Sequence, residues 1–439
     1  MRWFLFIIFL SFTCIVAAQK LKIKLVDVDS GWAGNSINAT IFRKNSLVTF
    51  QNWQYISFYN KNGFVVVGKR KLNEIRWVLK QTQYKGDCSD AHRIISIMVD
   101  GEGYLHITWN HHNNRLHYTR NKAPGSLELM SELPMTGKQE DKVSYPEFYR
   151  TQHGNLIFLY RDGASGNGSL VVDQYDVKTK TWKQLHSNLI DGQGLRNAYW
   201  QACVDSKGWM HLSWVWRETP DVASNHDLCY AFSKDGGVTW QKSNGEIYKV
   251  PITAASAEYA FHIPQKSGLI NQTSMFANED GAPCIATYWR EEGSSIPQYH
   301  LVYQTDEGWK KEILDFRHTP FSLSGSGTKR IPISRPQIVA WKTKNNLSAA
   351  MIFRDEERGS KISAAINRNL GKDKWTVVDL TPISVGSWEP TYDTELWKTK
   401  KILHLFVQNV EQADAEGQSK FPPQMVWVLE WDPKKSIDR

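Results

Sequence analysis

Short strands of alternating apolar and polar positions recur along this chain, each introduced by a turn rich in Gly, Asp or Asn and ending in aromatic residues. The copies fall at residues 46–50 with 54–59, then at 99–109, 153–160, 204–214, 279–288, 344–353 and 400–406. Period-two alternation bounded by turn residues predicts β-strands. Seven copies spaced by roughly 50–75 residues match a four-stranded blade with variable loops. A second element follows most copies and runs into a tryptophan, at Trp77, Trp182, Trp240, Trp309, Trp375 and Trp431; the second copy has Gly125-Ser-Leu-Glu instead. Ser233-Lys-Asp-Gly-Gly-Val-Thr-Trp240 fits the Asp-box pattern S-x-D-x-G-x-x-W, a hairpin turn, at a repeat boundary. No long helical periodicity competes. Residues 21–28 are expected to complete the last blade and close the ring, leaving no open sheet edge. The expected fold is all-β: one seven-bladed β-propeller domain over residues 19–439.

Composition adds a compartment and a class of partner. Arg2, the apolar run 3–10 and the small residues Val16-Ala17-Ala18 read as a signal peptide over residues 1–18. The run is too short to span a bilayer, and Ser11 and Thr13 fit poorly around a lipid anchor at Cys14. An exported protein, periplasmic or secreted, with no membrane span is expected. Cys88, Cys203, Cys229 and Cys284 show no CxxC spacing and are few for 439 residues, so neither a zinc site nor a disulfide scaffold is indicated. The net charge of +8 is spread along the chain without a basic arm, which argues against a nucleic-acid partner. An exported basic protein with 12% aromatic residues suits an acidic polysaccharide or oligosaccharide, because flat rings stack on sugars and guanidinium pairs with carboxylate.

The candidate chemistry is densest in the second and third repeats. Asp90-Ala-His92 precedes a strand, and Asn110-His111-His112-Asn113 follows what reads as that blade's inner repeat strand. Ser144-Tyr145-Pro146-Glu147 enters the third repeat, and Tyr160-Arg161-Asp162-Gly163 leaves it. Equivalent positions in consecutive blades project toward one end of the axis, so His92, His112, Tyr145 and Arg161 are expected to meet. Such a set suits β-elimination at a 4-linked uronic acid. Arginine neutralises the carboxylate and makes the C5 hydrogen acidic; histidine and tyrosine can supply the base and the acid, in either assignment. His106, His117, His211 and His404 lie within strand patterns and read as structural. The glycine-rich run 161–168 has no following helix and does not read as a phosphate cradle.

These residues resemble a known group. Asp90-Ala-His92, Trp109-Asn-His-His112, Tyr145-Pro146 and the run from Tyr160 to Gly168 look like the BNR-repeat seven-bladed propeller family of ulvan lyases, rhamnose–glucuronate lyases and α-L-rhamnosidases. The likeness extends to Arg196-Asn-Ala-Tyr-Trp-Gln201 and Trp214-Val-Trp-Arg217, and is nearest the Bacteroides-type proteins of arabinogalactan degradation. It implies His92 and Tyr145 as the acid/base pair, and His112 and Arg161 as holding and neutralising the carboxylate. Arg217 and Tyr199 are implied as further substrate contacts. It also implies a lyase that cleaves L-rhamnose-α-1,4-D-glucuronate at chain ends. The alternatives are an α-L-rhamnosidase acting on the same linkage, an ulvan lyase, and a non-catalytic glycan-binding propeller. The rhamnosidases resemble enzymes that use a first-blade histidine on the opposite face; here no histidine precedes His92, and Gln51 and Gln54 occupy that stretch. No cofactor or catalytic metal is expected. A structural calcium is compatible with such propellers, although no calcium loop stands out, and the chain is expected to be monomeric.

Overall fold

The computed structural model describes residues 22–343 and 346–436. The expected signal peptide, Cys14 and the turn residues Lys344 and Asn345 lie outside the described residues. Seven antiparallel sheets follow one another along the chain and form the blades of a propeller. Six of them hold four strands of the blade itself; the second holds three, Ile95–Val99, Leu105–Trp109 and Tyr118–Arg120. The incomplete blade is the copy without a tryptophan signal.

Each recurrent sequence copy forms the second strand of its blade. These strands are Trp53–Tyr59, Leu105–Trp109, Leu156–Ala164, Met210–Arg217, Pro283–Trp289, Asn346–Asp355 and Leu403–Gln408. One detail of the sequence reading is thereby corrected: Leu105–Trp109 is not innermost, because Ile95–Val99 lies inside it. The innermost strands are buried on both faces, as in Ile95–Val99, so they show no apolar–polar alternation to read.

The ring closes as expected. Ile23–Gly31 becomes the outer strand of blade seven, pairing antiparallel with Gln424–Trp431. Val26 enters a buried cluster with Leu47, Ile56, Phe58, Val66, Phe406, Val426 and Val428, so the closing strand fastens blade seven to blade one. Asp393 adds a polar fastening between the same two blades. It caps the short helix Thr394–Lys400 through Leu396 N (3.0 Å) and accepts from Thr49 N (3.0 Å) and from Gln54 Nε2 (2.8 Å). Gln54 also accepts from Arg70 and contacts His404, so both ends of its amide are engaged in a buried network.

Repeated side-chain devices hold the blades. His106 lies between Tyr118 Oη (2.7 Å) and Asp100 (3.2 Å); His211 lies between Tyr230 Oη (2.8 Å) and Asp205 (3.2 Å). Both rings are fully buried, in accord with a structural role. In the Asp box, Asp235 accepts from Val238 N, Thr239 N and Thr239 Oγ1, while the buried Trp240 donates to Gly237 O at 3.1 Å. The four described cysteines are unpaired. Among the described residues no helix is long and apolar enough to cross a membrane.

Candidate active site

One cavity of about 250 Å³ is lined by His92, His112, Tyr145, Arg161, Tyr199 and Arg217 together. All six residues singled out in the sequence therefore meet. Local backbone features bring them there. Asn110 and Asn113 both adopt left-handed conformations (φ 66° and 56°), which asparagine tolerates. The turn they make sends His112–Asn114 back as a short strand against the inner edge of blade three, where His112 pairs with Ser144 and Asn113 N donates to Ser144 Oγ. His112 thus leaves blade two to sit beside Tyr145. The register of Val143–Arg150 slips between Ser144 and Glu147, and Tyr145 takes φ 55°. A non-glycine residue held so costs about 1–3 kcal/mol, a strain typical of functional positions.

Asp90 organises the two histidines. Its Oδ1 lies 2.9 Å from His92 Nδ1 and its Oδ2 lies 2.6 Å from His112 Nδ1. The rings stack at 4.2 Å with 20° between their planes. With each Nδ1 proton directed to Asp90, each Nε2 is left for the cavity, and neither has a hydrogen-bond partner among the described residues. Burial alone would lower the His92 pKa, but the bonds to Asp90 and then Glu416 more than offset it and raise it to about 9. Burial would raise Asp90, yet its bonds to His112 and His92 hold it far below the ordinary carboxylate range. Asp90, His92 and His112 also have the donor types of a divalent-metal site, with ligand atoms within 4.8 Å of one another. The two imidazole–carboxylate bonds engage the Nδ1 atom of each ring.

The opposite wall is cationic. Arg161 sits 4.9 Å above the Tyr145 ring and donates to Gly163 O (3.1 Å) and Tyr199 Oη (3.4 Å). Arg217 lies 5.2 Å above the Tyr199 ring and donates to the carbonyls of Thr219 and Pro220. Neither arginine forms an ion pair among the described residues. Burial pushes the Tyr145 phenol up, and the fields of Arg161, Arg217 and Arg335 only partly counter it. Its hydroxyl takes no protein partner among the described residues. For Tyr199 burial also acts upward, but Arg161 and Arg217, with a bond from Ser165, bring the phenol below its ordinary value.

Four residues of the site went unnoticed in the sequence. Phe42 stacks on His92 at 5.3 Å and meets the Tyr145 ring edge-on at 5.4 Å. Arg335 lies 5.3 Å over Phe42 and is bidentate to the buried Glu389. Thr328 lines the cavity, and Glu416 reaches His92 Nδ1 at 3.2 Å. All four come from segments far from residues 90–217 in sequence, with no motif to mark them. Arg196, by contrast, pairs with Glu218 at 2.6 Å and does not line the cavity.

A model of the BNR repeat-containing family matches residues 53–316. Among curated proteins, the long-isoform ulvan lyase of Pseudoalteromonas sp. (strain PLSV) is 26% identical over 194 residues, which is 39% of this chain and 19% of that protein. The short-isoform ulvan lyase of Alteromonas sp. (strain LOR) is 30% identical over 139 residues, covering 27% of this chain and 26% of that protein. The chain thus spans about a quarter or less of the length of these two relatives. A solved ulvan lyase of polysaccharide lyase family PL25, bound to -[GlcA(1-4)Rha3S]-, superposes with TM-score 0.64 at 12% identity, covering 91% of this chain and 94% of that one. The polysaccharide lyase Uly1 gives TM-score 0.62 at 14% identity, covering 89% and 90%. At such identities the superpositions establish the fold.

Proposed function

This chain belongs to the BNR repeat-containing family, and we propose that it is an exported polysaccharide lyase cleaving L-rhamnose-α-1,4-D-glucuronate linkages at the ends of acidic arabinogalactan chains. One observation carries the reading. An Asp-held imidazole and a phenol share a cavity with two guanidiniums, and among the described residues that phenol has no hydrogen-bond partner and those guanidiniums form no ion pair.

In the proposed reaction Arg161, with Arg217, Tyr199 and His112, receives the glucuronate carboxylate and stabilises the negative charge that develops as C5 loses its proton. His92 Nε2 takes that proton, oriented by Asp90 on its other nitrogen as in any base–carboxylate pair. The C5–H electron pair becomes the C4=C5 double bond, the C4–O4 bond breaks, and Tyr145 Oη protonates O4 as rhamnose departs. The direction of both pKa shifts suits these roles. A raised His92 is the stronger base once neutral, and a raised Tyr145 stays protonated as the acid. No cofactor enters the step.

The test is incubation of the purified protein with gum arabic arabinogalactan, following ultraviolet absorbance of the unsaturated uronate and rhamnose release in parallel. Both signals rising together support elimination. Rhamnose without new absorbance means hydrolysis and overturns the mechanism; ligand-induced stabilisation without product means a binding propeller.

A second substrate reading has its own support. One carboxylate needs one bidentate partner, yet Arg161 and Arg217 both line the cavity and neither forms an ion pair among the described residues. A second anion, such as the sulfate of a rhamnose-3-sulfate–glucuronate polymer, would use that surplus. Absorbance rising on ulvan and not on arabinogalactan selects it.

A further inference from the structure

Two long connections meet behind His92, one within residues 318–334 and one within 409–420. Asp414 pairs with Lys329 Nζ (2.8 Å) and accepts from Arg330 N (3.2 Å); Ala415 N donates to Thr328 O (2.7 Å). Further along, Ser419 N donates to Gly34 O (2.7 Å), and Asn35 Nδ2 to Gly417 O (3.0 Å). Ala415 is held at φ 76°, a strained conformation for alanine. The residue this strained link presents is Glu416. Its Oε1 accepts from Thr328 N (2.9 Å) and Thr328 Oγ1 (3.1 Å) and lies 3.2 Å from His92 Nδ1.

We infer that Glu416 is a positioning residue for His92, forming with Asp90 a two-carboxylate cradle on the Nδ1 edge that fixes the ring and strengthens Nε2 as a base. The inference rests on the proposed role of His92. The argument is one of charge and of count. Asp90 divides its two oxygens between two imidazoles, so a single carboxylate serves both rings. The other groups around His92 supply no further anion. They are Arg93 beside it, paired to Asp87 and Asp90; the stacked His112; Tyr145 at 5.8 Å; and Phe42, with Arg335 already paired to Glu389 behind it. Among the described residues Glu416 is the second acid at the ring, and Thr328 holds it there through two donors.

The experiment compares wild type, Glu416→Gln and Glu416→Asp by NMR titration of the His92 imidazole and by the pH profile of kcat/KM on a uronate polymer. Glutamine can still accept from Thr328, so the loop contact is kept while the charge is removed. An opposite charge at this range moves a pKa by about one unit or more, so Glu416→Gln is expected to lower the His92 midpoint by about one pH unit, a roughly tenfold loss of proton affinity. The acidic limb of kcat/KM should move down equally, giving the variant relatively more activity near neutrality, and Glu416→Asp should restore part of the shift. An unchanged His92 midpoint in Glu416→Gln makes Glu416 a loop fastener and overturns the inference. If no uronate polymer is cleaved by wild type, the proposed function falls, while the titration still decides whether Glu416 sets the proton affinity of His92.

Discussion

A side chain at position 168 would strike Arg161: a Cβ there would lie 2.7 Å from Arg161 Cγ and Cδ. Gly168 thus lets the guanidinium swing over Tyr145 although it touches nothing in the cavity itself. Because misplacement by about 1 Å can cost on the order of a hundredfold in rate, Gly168→Ala is expected to lower kcat/KM by roughly 10–100-fold with little change in melting temperature. Equal activity in the variant would mean that the exact place of Arg161 is unimportant. The two proposed proton-transfer residues should cost more. Loss of a general acid or base removes about 10²–10⁴-fold, and both Tyr145→Phe and His92→Gln should show it in steady-state kinetics. His92 carries a thermodynamic signature too. Its folded pKa is raised to about 9, so the stability it adds is complete below its ordinary value near 6.5 and is lost as pH rises through about 9. His92→Gln should therefore be most destabilised relative to wild type near pH 6, with the gap in melting temperature closing above pH 9.

Among the structural elements, what could be read ahead of the structure follows from punctuation. The second strand commonly leaves a tight hairpin, and hairpins need Gly, Asp or Asn, as at Asp100-Gly-Glu-Gly103 and Asp205-Ser-Lys-Gly208, whereas in blade seven the short helix Thr394–Lys400 takes that place. Inner strands instead emerge from long irregular connections, and those buried throughout, such as Ile95–Val99, show no alternation to mark them. The slip at Tyr145 was equally silent: Pro146 hints at a break in the strand, but the left-handed Tyr145 depends on the strand His112–Asn114 pairing alongside, which arrives from another blade. The Asp box was legible because its contacts are local. Trp240 fills the space above its own turn with no exposed surface. Replacing a fully buried tryptophan by alanine costs about 3–5 kcal/mol, so Trp240→Ala should lower the denaturation midpoint accordingly. Because the residue is remote from the cavity lining, it should leave KM unchanged in the folded fraction.

For the whole molecule, the site is legible on one side of the ring and opaque on the other. His92, His112, Tyr145, Arg161, Tyr199 and Arg217 come from consecutive blades, where a shared register places them together. Phe42 and Arg335 reach the same cavity, and Glu416 reaches His92, from the segment before blade one and from connections leading through blades five to seven. Their proximity to His92 exists only once the circle is closed. Closure therefore belongs to the site as well as to stability, and it hangs on the strand Ile23–Gly31, whose Val26 is buried between blades seven and one. A carboxylate at that position would have no cation in the apolar cluster around it, and an unpaired buried charge costs several kcal/mol. Val26→Asp is expected to lower stability by about 3 kcal/mol or more, and limited proteolysis should cut first in the freed N-terminal strand. If the ring acts as one unit, Phe42 and Glu416 withdraw from His92 in the same event, so activity should disappear at the temperature where the N-terminal strand becomes cleavable, below the unfolding of blades two to four. Activity persisting after that cleavage would mean that blades two to four hold a competent site by themselves.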